Sequence, residues 1–279
     1  MNDIPKACVI GWPARHSRSP LIHRHWLRRY GIAGDYVIEE IEPEDFEAFL
    51  SDLSAHGYVG CNVTLPHKEA AARLVARRDE TAARLGAVNT VWYQDGDLVG
   101  ANTDVYGFLA NLDAGAPRWD AGLDRAVVLG AGGAARGIVH GLLTRGVGRI
   151  DVVNRSLDRA AALADAFGPA VIARGWDEID TVLEDARLLV NTTSLGMQGN
   201  PPLEIDLAPL AAEAIVNDIV YVPLETNLLK AARARDLNAV DGLGMLLYQA
   251  VPGFEKWFGV RPDVTSDLRA VLVKDIEGT

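Results

Sequence analysis

Arg125-Ala-Val-Val-Leu-Gly-Ala-Gly-Gly-Ala-Ala135 is a short apolar strand that runs straight into a glycine-rich turn, and a helical pattern then continues to about Arg145. The glycines follow the spacing Gly-x-Gly-x-x-Gly/Ala in the strand–turn–helix setting that a dinucleotide-binding fold requires. Gly130 permits the tight turn. Gly132 lets a pyrophosphate approach the backbone, where amides at a helix N-terminus bind anionic oxygens. Ala135 keeps helix and strand close, and Ala131, Gly133 and Ala134 complete the turn. A lone glycine pattern would be a plain strand-to-helix turn; the flanks on both sides make the nucleotide reading the expected one.

The following strand, Ile150-Asp-Val-Val, ends in Asn154-Arg155-Ser156. This is about 24 residues beyond Gly130, close to the ribose-reading position. An NAD-preferring site carries Asp or Glu there, whereas this strand end is neutral and then cationic. Arg155 can stack on adenine or pair with a 2′-phosphate, and Arg159, one helical turn on, can join it. NADP is therefore the expected cofactor, against the alternative of two exposed helix arginines. Asp151 lies three residues too early and is expected to point elsewhere.

Upstream, residues from about Lys6 to Thr103 alternate strand-like and helix-like segments. Lys6 to Gly11 and Asp35 to Ile41 read as strands, and Pro43 to Ala55 as a helix. Asp95-Gly96 between two apolar runs signals a hairpin. Val105 to Ala114 reads as a helix joining two units. After Asp241-Gly-Leu-Gly the chain is mostly helical, with Trp257-Phe258-Gly259 marking a turn. The expected class is α/β, with one unit over residues 1–104, a Rossmann-type unit over 105–240 and a mostly helical tail over 241–279.

Two polar runs in the first unit carry chemistry. In Asn62-Val-Thr-Leu-Pro-His-Lys68, a strand from Tyr58 is stopped by Pro66, and Glu69-Ala-Ala-Ala-Arg starts a helix. Asn62 and Thr64 share a face of the extended chain. Lys68 sits at the helix start, where the dipole favours a neutral amine able to accept a proton from an alcohol. His67 can tune Lys68 or serve the structure. The second run is His16-Ser17-Arg18-Ser19-Pro20. Two hydroxyls near a helix N-terminus can bind a carboxylate or a polyol; N-capping would account for Ser19 and leave Ser17 idle.

Composition narrows the field. Of 279 residues, 49% are hydrophobic and 23% charged, the balance of a soluble globular enzyme. The formal charge of −11 argues against non-specific nucleic-acid binding. No apolar run is long enough for a transmembrane helix, and the N-terminus lacks a secretory pattern. Cys8 and Cys61 lie in strand patterns and read as reduced core residues, so a cytoplasmic setting fits. A metal site fails on spacing: His23 and His25 are two apart on a helix, and with Arg24, Arg28 and Arg29 they read as a solvated surface.

Taken together, these runs resemble the shikimate dehydrogenase family. The likeness covers nearly the whole chain and includes the Ser-x-Ser-Pro loop, the run from Asn62 to Lys68, Gly86-Ala-Val-Asn89-Thr, Asn102-Thr-Asp104, the glycine turn, Asn154-Arg155-Ser156, Asn191-Thr-Thr-Ser-Leu-Gly-Met197, Tyr221-x-Pro-x-x-Thr226, and Asp241-Gly-Leu-Gly-Met245 followed by Gln249-Ala. The resemblance implies two domains, an N-terminal α/β substrate domain completed by the C-terminal helices (residues 1–104 plus 241–279) and a Rossmann-type NADP-binding domain (105–240), and reduction of 3-dehydroshikimate to shikimate with NADP. It implies Lys68 and Asp104 as the catalytic pair. Ser17, Ser19 and Tyr221 would lie at the substrate carboxylate, and Thr64, Asn89 and Gln249 at its hydroxyls. Thr192, Met197, Val220 and Gly244 would lie around the nicotinamide. A small-molecule substrate and a monomer or homodimer are the implied partners and assembly. A quinate or aminoshikimate dehydrogenase and a catalytically silent NADP-binding sensor are the alternatives.

Overall fold

The structure, a computed structural model, describes residues 4–278. Contacts within the chain divide it into two units. One runs to Gly107 and resumes over Leu247–Asp275; the other holds Phe108–Leu246. Both changes fall inside helices, a few residues beyond the expected boundaries at 104 and 241. Turn residues mark where an element ends, whereas a continuous helix exchanges packing partners part-way along its length.

The first unit has strands β1 (Lys6–Gly11), β2 (Asp35–Glu40), β3 (Tyr58–Val63), β4 (Arg77–Arg78), β5 (Thr90–Gln94) and β6 (Asp97–Ala101). Its helices are α1 (Ser19–Arg29), α2 (Phe46–Ser51), α3 (Lys68–Leu74), α4 (Glu80–Leu85) and the start of α5 (Thr103–Gly115). The strands form one mixed sheet in the order β2-β1-β3-β5-β6-β4. β1 lies between two parallel neighbours and all its residues after Lys6 are buried, as expected for a strand covered on both faces. Asp95 and Gly96 both have positive φ, which suits the two-residue turn joining β5 to β6. The helix expected from Pro43 to Ala55 is shorter and forms only over α2.

The second unit has β7 (Arg125–Leu129), β8 (Arg149–Asn154), β9 (Val171–Gly175), β10 (Leu188–Asn191), β11 (Ile215–Asp218) and β12 (Asn238–Val240). Between them run α6 (Gly133–Thr144), α7 (Leu157–Phe167), α8 (Ile179–Leu183) and α9 (Asn227–Ala234). All six strands are parallel, in the order β12-β11-β10-β7-β8-β9. Relabelled within the unit this is 3-2-1-4-5-6, the doubly wound dinucleotide-binding order, with its switch point between β7 and β10. Alternate strand residues feed two cores, with Val128, Val152 and Val190 on one face and Val127, Val153 and Leu189 on the other. Asp151 does point elsewhere: it is fully buried and meets Arg125, Arg149 and Arg174 at 2.8–3.1 Å. Burial alone would raise its carboxyl; the three guanidiniums outweigh that and hold it below the ordinary aspartate range.

The chain returns through α10 (Leu243–Phe258) and α11 (Ser266–Glu277). Within the first unit, Trp257 Nε1 donates to Val91 O at 2.9 Å and Trp26 Nε1 to Asp263 O at 3.0 Å. Trp257 and Phe258 therefore belong to the last turn of a helix that is anchored in the core, not to a loop; Gly259, with φ of 75°, ends it. His23 corrects the expectation of a solvated histidine pair. It is fully buried, stacked on Tyr36 at 4.0 Å and near Trp26, Phe254 and Trp257. Burial lowers its imidazole to about 3, so the ring is neutral. Cys8 and Cys61 are buried free thiols on paired strands. Among the described residues no helix is long and apolar enough to cross a membrane, and no cluster of three His, Cys, Asp or Glu side chains is arranged to hold a metal.

Candidate active site

In the first unit the structure gathers three of the expected residues. Val63 ends β3, and the chain turns through Pro66 so that Lys68 becomes the first residue of α3. Asp104 lies in the first turn of α5, and Asn89 immediately precedes β5. Lys68 Nζ donates to Asp104 Oδ2 at 2.6 Å, and Asn89 Nδ2 to Asp104 Oδ1 at 2.8 Å. The lysine and aspartate side chains keep 26% and 30% of their surface exposed, so the pair is held but open to a substrate. Asn102 supports it from behind: its Oδ1 accepts the Asp104 amide and its Nδ2 donates to Ala87 O. An amine paired to a carboxylate that is itself oriented by an amide is an arrangement able to pass a proton to and from an alcohol.

Asn89 is itself tightly engaged. Its Oδ1 accepts from the Thr103 amide at 2.7 Å and from the Thr103 and Thr90 hydroxyls at 3.1 and 3.2 Å. Behind it, Asn62 Nδ2 reaches Asn89 O and Thr90 Oγ1, and Tyr36 donates to Asn62 Oδ1 at 2.6 Å. Sequence reasoning assigned no role to Tyr36, Thr90 or Thr103. The only signal was their position inside or beside the polar runs, which does not say where a hydroxyl points.

Two expectations change. Ser19 is not the N-cap of α1: it is the first helical residue, Arg18 occupies the cap with its guanidinium on Asp275 Oδ2 at 2.8 Å and not on a helix amide, and Ser17 Oγ accepts the Ser19 amide at 3.3 Å. The serine that capping was to leave idle is the one that receives a helix-start amide, because the helix begins one residue earlier than proline's preference for its first position suggests. The two hydroxyls lie 3.2 Å apart. His67 is buried, stacked on Phe46 at 4.3 Å and bonded to Ile41 O at 2.8 Å. It holds α3 onto the core, and its ring does not meet Lys68. Thr64 is half-buried just beyond β3, and Gln249 lies on α10 in the same unit.

The second unit builds its site at the sheet's switch point. Gly130 has φ of 102°, and a Cβ there would stand 2.7 Å from Thr192 Oγ1, so only glycine lets the turns after β7 and β10 meet. Thr192 closes that meeting by donating its amide and hydroxyl to Leu129 O. Gly132 caps α6 with no side chain, and a Cβ at Gly132 or Gly133 would meet nothing within 4 Å. The start of this twelve-residue helix is thus open at Gly132 and Gly133, which leaves room for a pyrophosphate at its first amides. Asn154 Nδ2 secures the next turn on Ser156 O; Arg155, Ser156 and Arg159 are exposed beyond it. Neither arginine has an ion-pair partner among the described residues, so two cations are available to a phosphate group.

A buried network shapes the loop from Thr192 to Met197. Asp218, without solvent exposure, accepts from Asn191 Nδ2, Thr226 Oγ1 and the Val220 amide at 2.9, 2.7 and 3.0 Å. Burial raises its carboxyl despite these bonds. Asn191 Oδ1 in turn holds the Thr193 amide and hydroxyl, leaving Met197 exposed at the loop tip. Val220 is buried and Tyr221 half-buried beside it. Gly244 has a packing role of its own: a Cβ would overlap Asn111 Oδ1, and Asn111 Nδ2 caps Asp241 O at 2.7 Å.

Three family profiles match the chain in order. They are the shikimate dehydrogenase substrate binding domain over residues 9–91, shikimate / quinate 5-dehydrogenase over 119–197, and the shikimate 5′-dehydrogenase C-terminal domain over 242–272. A shikimate dehydrogenase (NADP(+)) of Rhodopseudomonas palustris strain TIE-1 is 59% identical over 271 residues, covering 97% of this chain and 96% of its own. The chain belongs to the shikimate dehydrogenase family. Among solved structures, shikimate 5-dehydrogenase from Thermus thermophilus in complex with NADP(H) and shikimate superposes with a TM-score of 0.84 at 36% identity, over 96% of this chain and 99% of that one. Quinate dehydrogenase from Corynebacterium glutamicum in complex with NAD gives 0.89 at 36%, over 98% and 100%. The family's two-domain α/β fold is thus shared by enzymes that differ in substrate and cofactor.

Proposed function

We propose that this chain catalyses the reversible, NADP-dependent reduction of 3-dehydroshikimate to shikimate. The observation that carries the reading is the Lys68–Asp104–Asn89 constellation in a chain 59% identical to an NADP-dependent shikimate dehydrogenase. Lys68 holds the reacting oxygen and passes its proton, and Asp104 orients Lys68 and shares that proton. Asn89 spends one N–H on Asp104 and has a second for a ring hydroxyl. Thr64 and Gln249 hold the other hydroxyls, and Ser17, Ser19 and Tyr221 the carboxylate.

When bound, NADPH supplies the hydride. The amides and small residues from Gly130 to Ala134 hold its pyrophosphate, and Asn154, Arg155, Ser156 and Arg159 its adenosine 2′-phosphate. Thr192, Met197, Val220 and Gly244 surround the nicotinamide. A cytoplasmic monomer or homodimer completes the proposal, and sedimentation reads the assembly. Steady-state assays of the purified chain with shikimate and quinate, each with NADP and NAD, test the function. The expected result is the highest kcat/KM for shikimate with NADP; a higher value for quinate, or no turnover with any pair, refutes it.

A further inference from the structure

We propose that Tyr36, Asn62, Thr90 and Thr103 are positioning residues for the reaction. They form a one-way chain of hydrogen-bond donors that starts at the Tyr36 hydroxyl and ends on the Asp104 carboxylate. The proposal rests on the reading of Lys68 and Asp104 as the catalytic pair.

The direction of the chain follows from groups that can act in only one sense. A backbone carbonyl only accepts, so the Asn62 atom facing Asn89 O at 3.1 Å is the amide nitrogen. Asn62 Oδ1 therefore faces Tyr36, and the phenol donates to it at 2.6 Å. Burial raises the Tyr36 hydroxyl well above its ordinary value, which keeps it a donor. A backbone amide only donates, so the Asn89 atom facing the Thr103 N–H at 2.7 Å is the oxygen. Asn89 Nδ2 is thereby turned onto Asp104 Oδ1.

The two threonines connect these fixed ends. Thr90 Oγ1 accepts from Asn62 Nδ2 at 3.1 Å and has one proton left to give. That proton goes to Thr103 Oγ1 at 3.0 Å or to Asn89 Oδ1 at 3.2 Å, and the Thr103 hydroxyl lies 3.1 Å from the same oxygen. Every route delivers donors to Asn89 Oδ1. All of these side chains are buried, and in such surroundings successive donors polarise one another and a single broken link leaves an unsatisfied group. The register makes the chain possible: Asn62 on β3 stands opposite Thr90 on β5, and α5 begins at Thr103. The Thr103 backbone amide sets which way the Asn89 side chain faces, and the buried hydroxyl donors on the same oxygen hold its tilt, and with it the approach of Nδ2 to Asp104 Oδ1.

The test uses Thr103→Val, Thr103→Ser and Tyr36→Phe in the full-length enzyme, with kcat and both KM values measured in the wild-type and Asp104→Asn backgrounds. Thr103→Val is expected to lower kcat about five- to ten-fold while leaving the KM for NADP unchanged, the loss of one buried hydrogen bond. Thr103→Ser keeps the hydroxyl and is expected within about two-fold of wild type; Tyr36→Phe, farther along the chain, is expected to cost about three-fold. In the Asp104→Asn background, Thr103→Val is expected to add no further loss, because its effect runs through that carboxylate. The proposal is overturned if Thr103→Val keeps wild-type kcat, if serine does not rescue it, or if it costs the same in both backgrounds. Wild-type turnover by Asp104→Asn alone would instead bring down the catalytic reading, and that measurement involves no link of the chain.

Discussion

Lowering the pH should weaken the first unit through His23, and His23→Phe should remove that sensitivity. The imidazole is fully buried against Tyr36, Trp26, Phe254 and Trp257, and burial lowers it from 6.5 to about 3. In the unfolded chain it titrates near its ordinary value. Between those two values the unfolded state binds a proton that the folded state does not, so stability rises with pH across the window. The contribution is intact above about pH 6.5 and is lost as the pH falls toward about 3. At about 1.36 kcal/mol per pH unit, moving from about pH 7.5 to about pH 4.5 costs roughly 2.7 kcal/mol from this residue alone. Phenylalanine keeps an aromatic ring of similar size and cannot titrate. Its own repacking cost, about 1–3 kcal/mol, is independent of pH and drops out of the comparison. Urea titrations at a series of pH values measure the difference, followed by tryptophan fluorescence, since Trp26 and Trp257 pack beside the ring. Parallel stability–pH curves for wild type and His23→Phe would refute the assignment of a neutral buried histidine.

Three further outcomes are expected. Lys68→Ala should cut turnover by ~10²–10⁴-fold with an unchanged circular dichroism spectrum, and a variant retaining more than about a tenth of the rate would remove Lys68 from proton transfer. Arg155→Ala should raise the KM for NADP about ten-fold or more while moving that for NAD little, since a charge-assisted bond contributes ~1.5–3 kcal/mol; equal losses would make Arg155 an adenine platform only. Asp151→Asn should destabilise the second unit by about 2–4 kcal/mol near neutral pH, less than for a wholly buried pair because its three arginines reach water. Because the aspartate is held below its ordinary range, its contribution is present above that range and fades as the pH falls through the folded value; chemical denaturation at neutral and acid pH would show the gap closing.

The two sites were legible in the sequence to different depths. The Gly130–Ala135 turn was the most legible, because each small residue answers a local demand: a positive φ at Gly130, an open approach at Gly132, a close-packed helix at Ala135. Helix starts were less legible. Ser19 satisfies the N-cap preference, yet the helix starts one residue earlier, with Arg18 at the cap and paired to Asp275, and with the Ser19 amide on Ser17. His23 was misread from its spacing to His25 alone. The apolar stripe of α1 at Ile22, Trp26 and Leu27 includes its position, so the 3.6-residue period held the correct answer.

By itself, then, the sequence determined the α/β class, the glycine turn, the cationic end of β8 and the place of Lys68 at a helix start, all properties of local pattern and side-chain chemistry, while Asn89 and Asp104 stood out only through the family resemblance. Only the tertiary structure decided how those residues meet. Lys68 and Asp104 lie 36 positions apart and are joined because α3 and α5 start where β3 and β6 have brought the chain. It likewise decided that Tyr36 and Asn62, separated by 26 positions, support the same carboxylate through Asn89. Hydrogen bonds are directional and short, so a residue's partner depends on strand register and helix packing summed over the whole unit, and no run of neighbours in the chain encodes it.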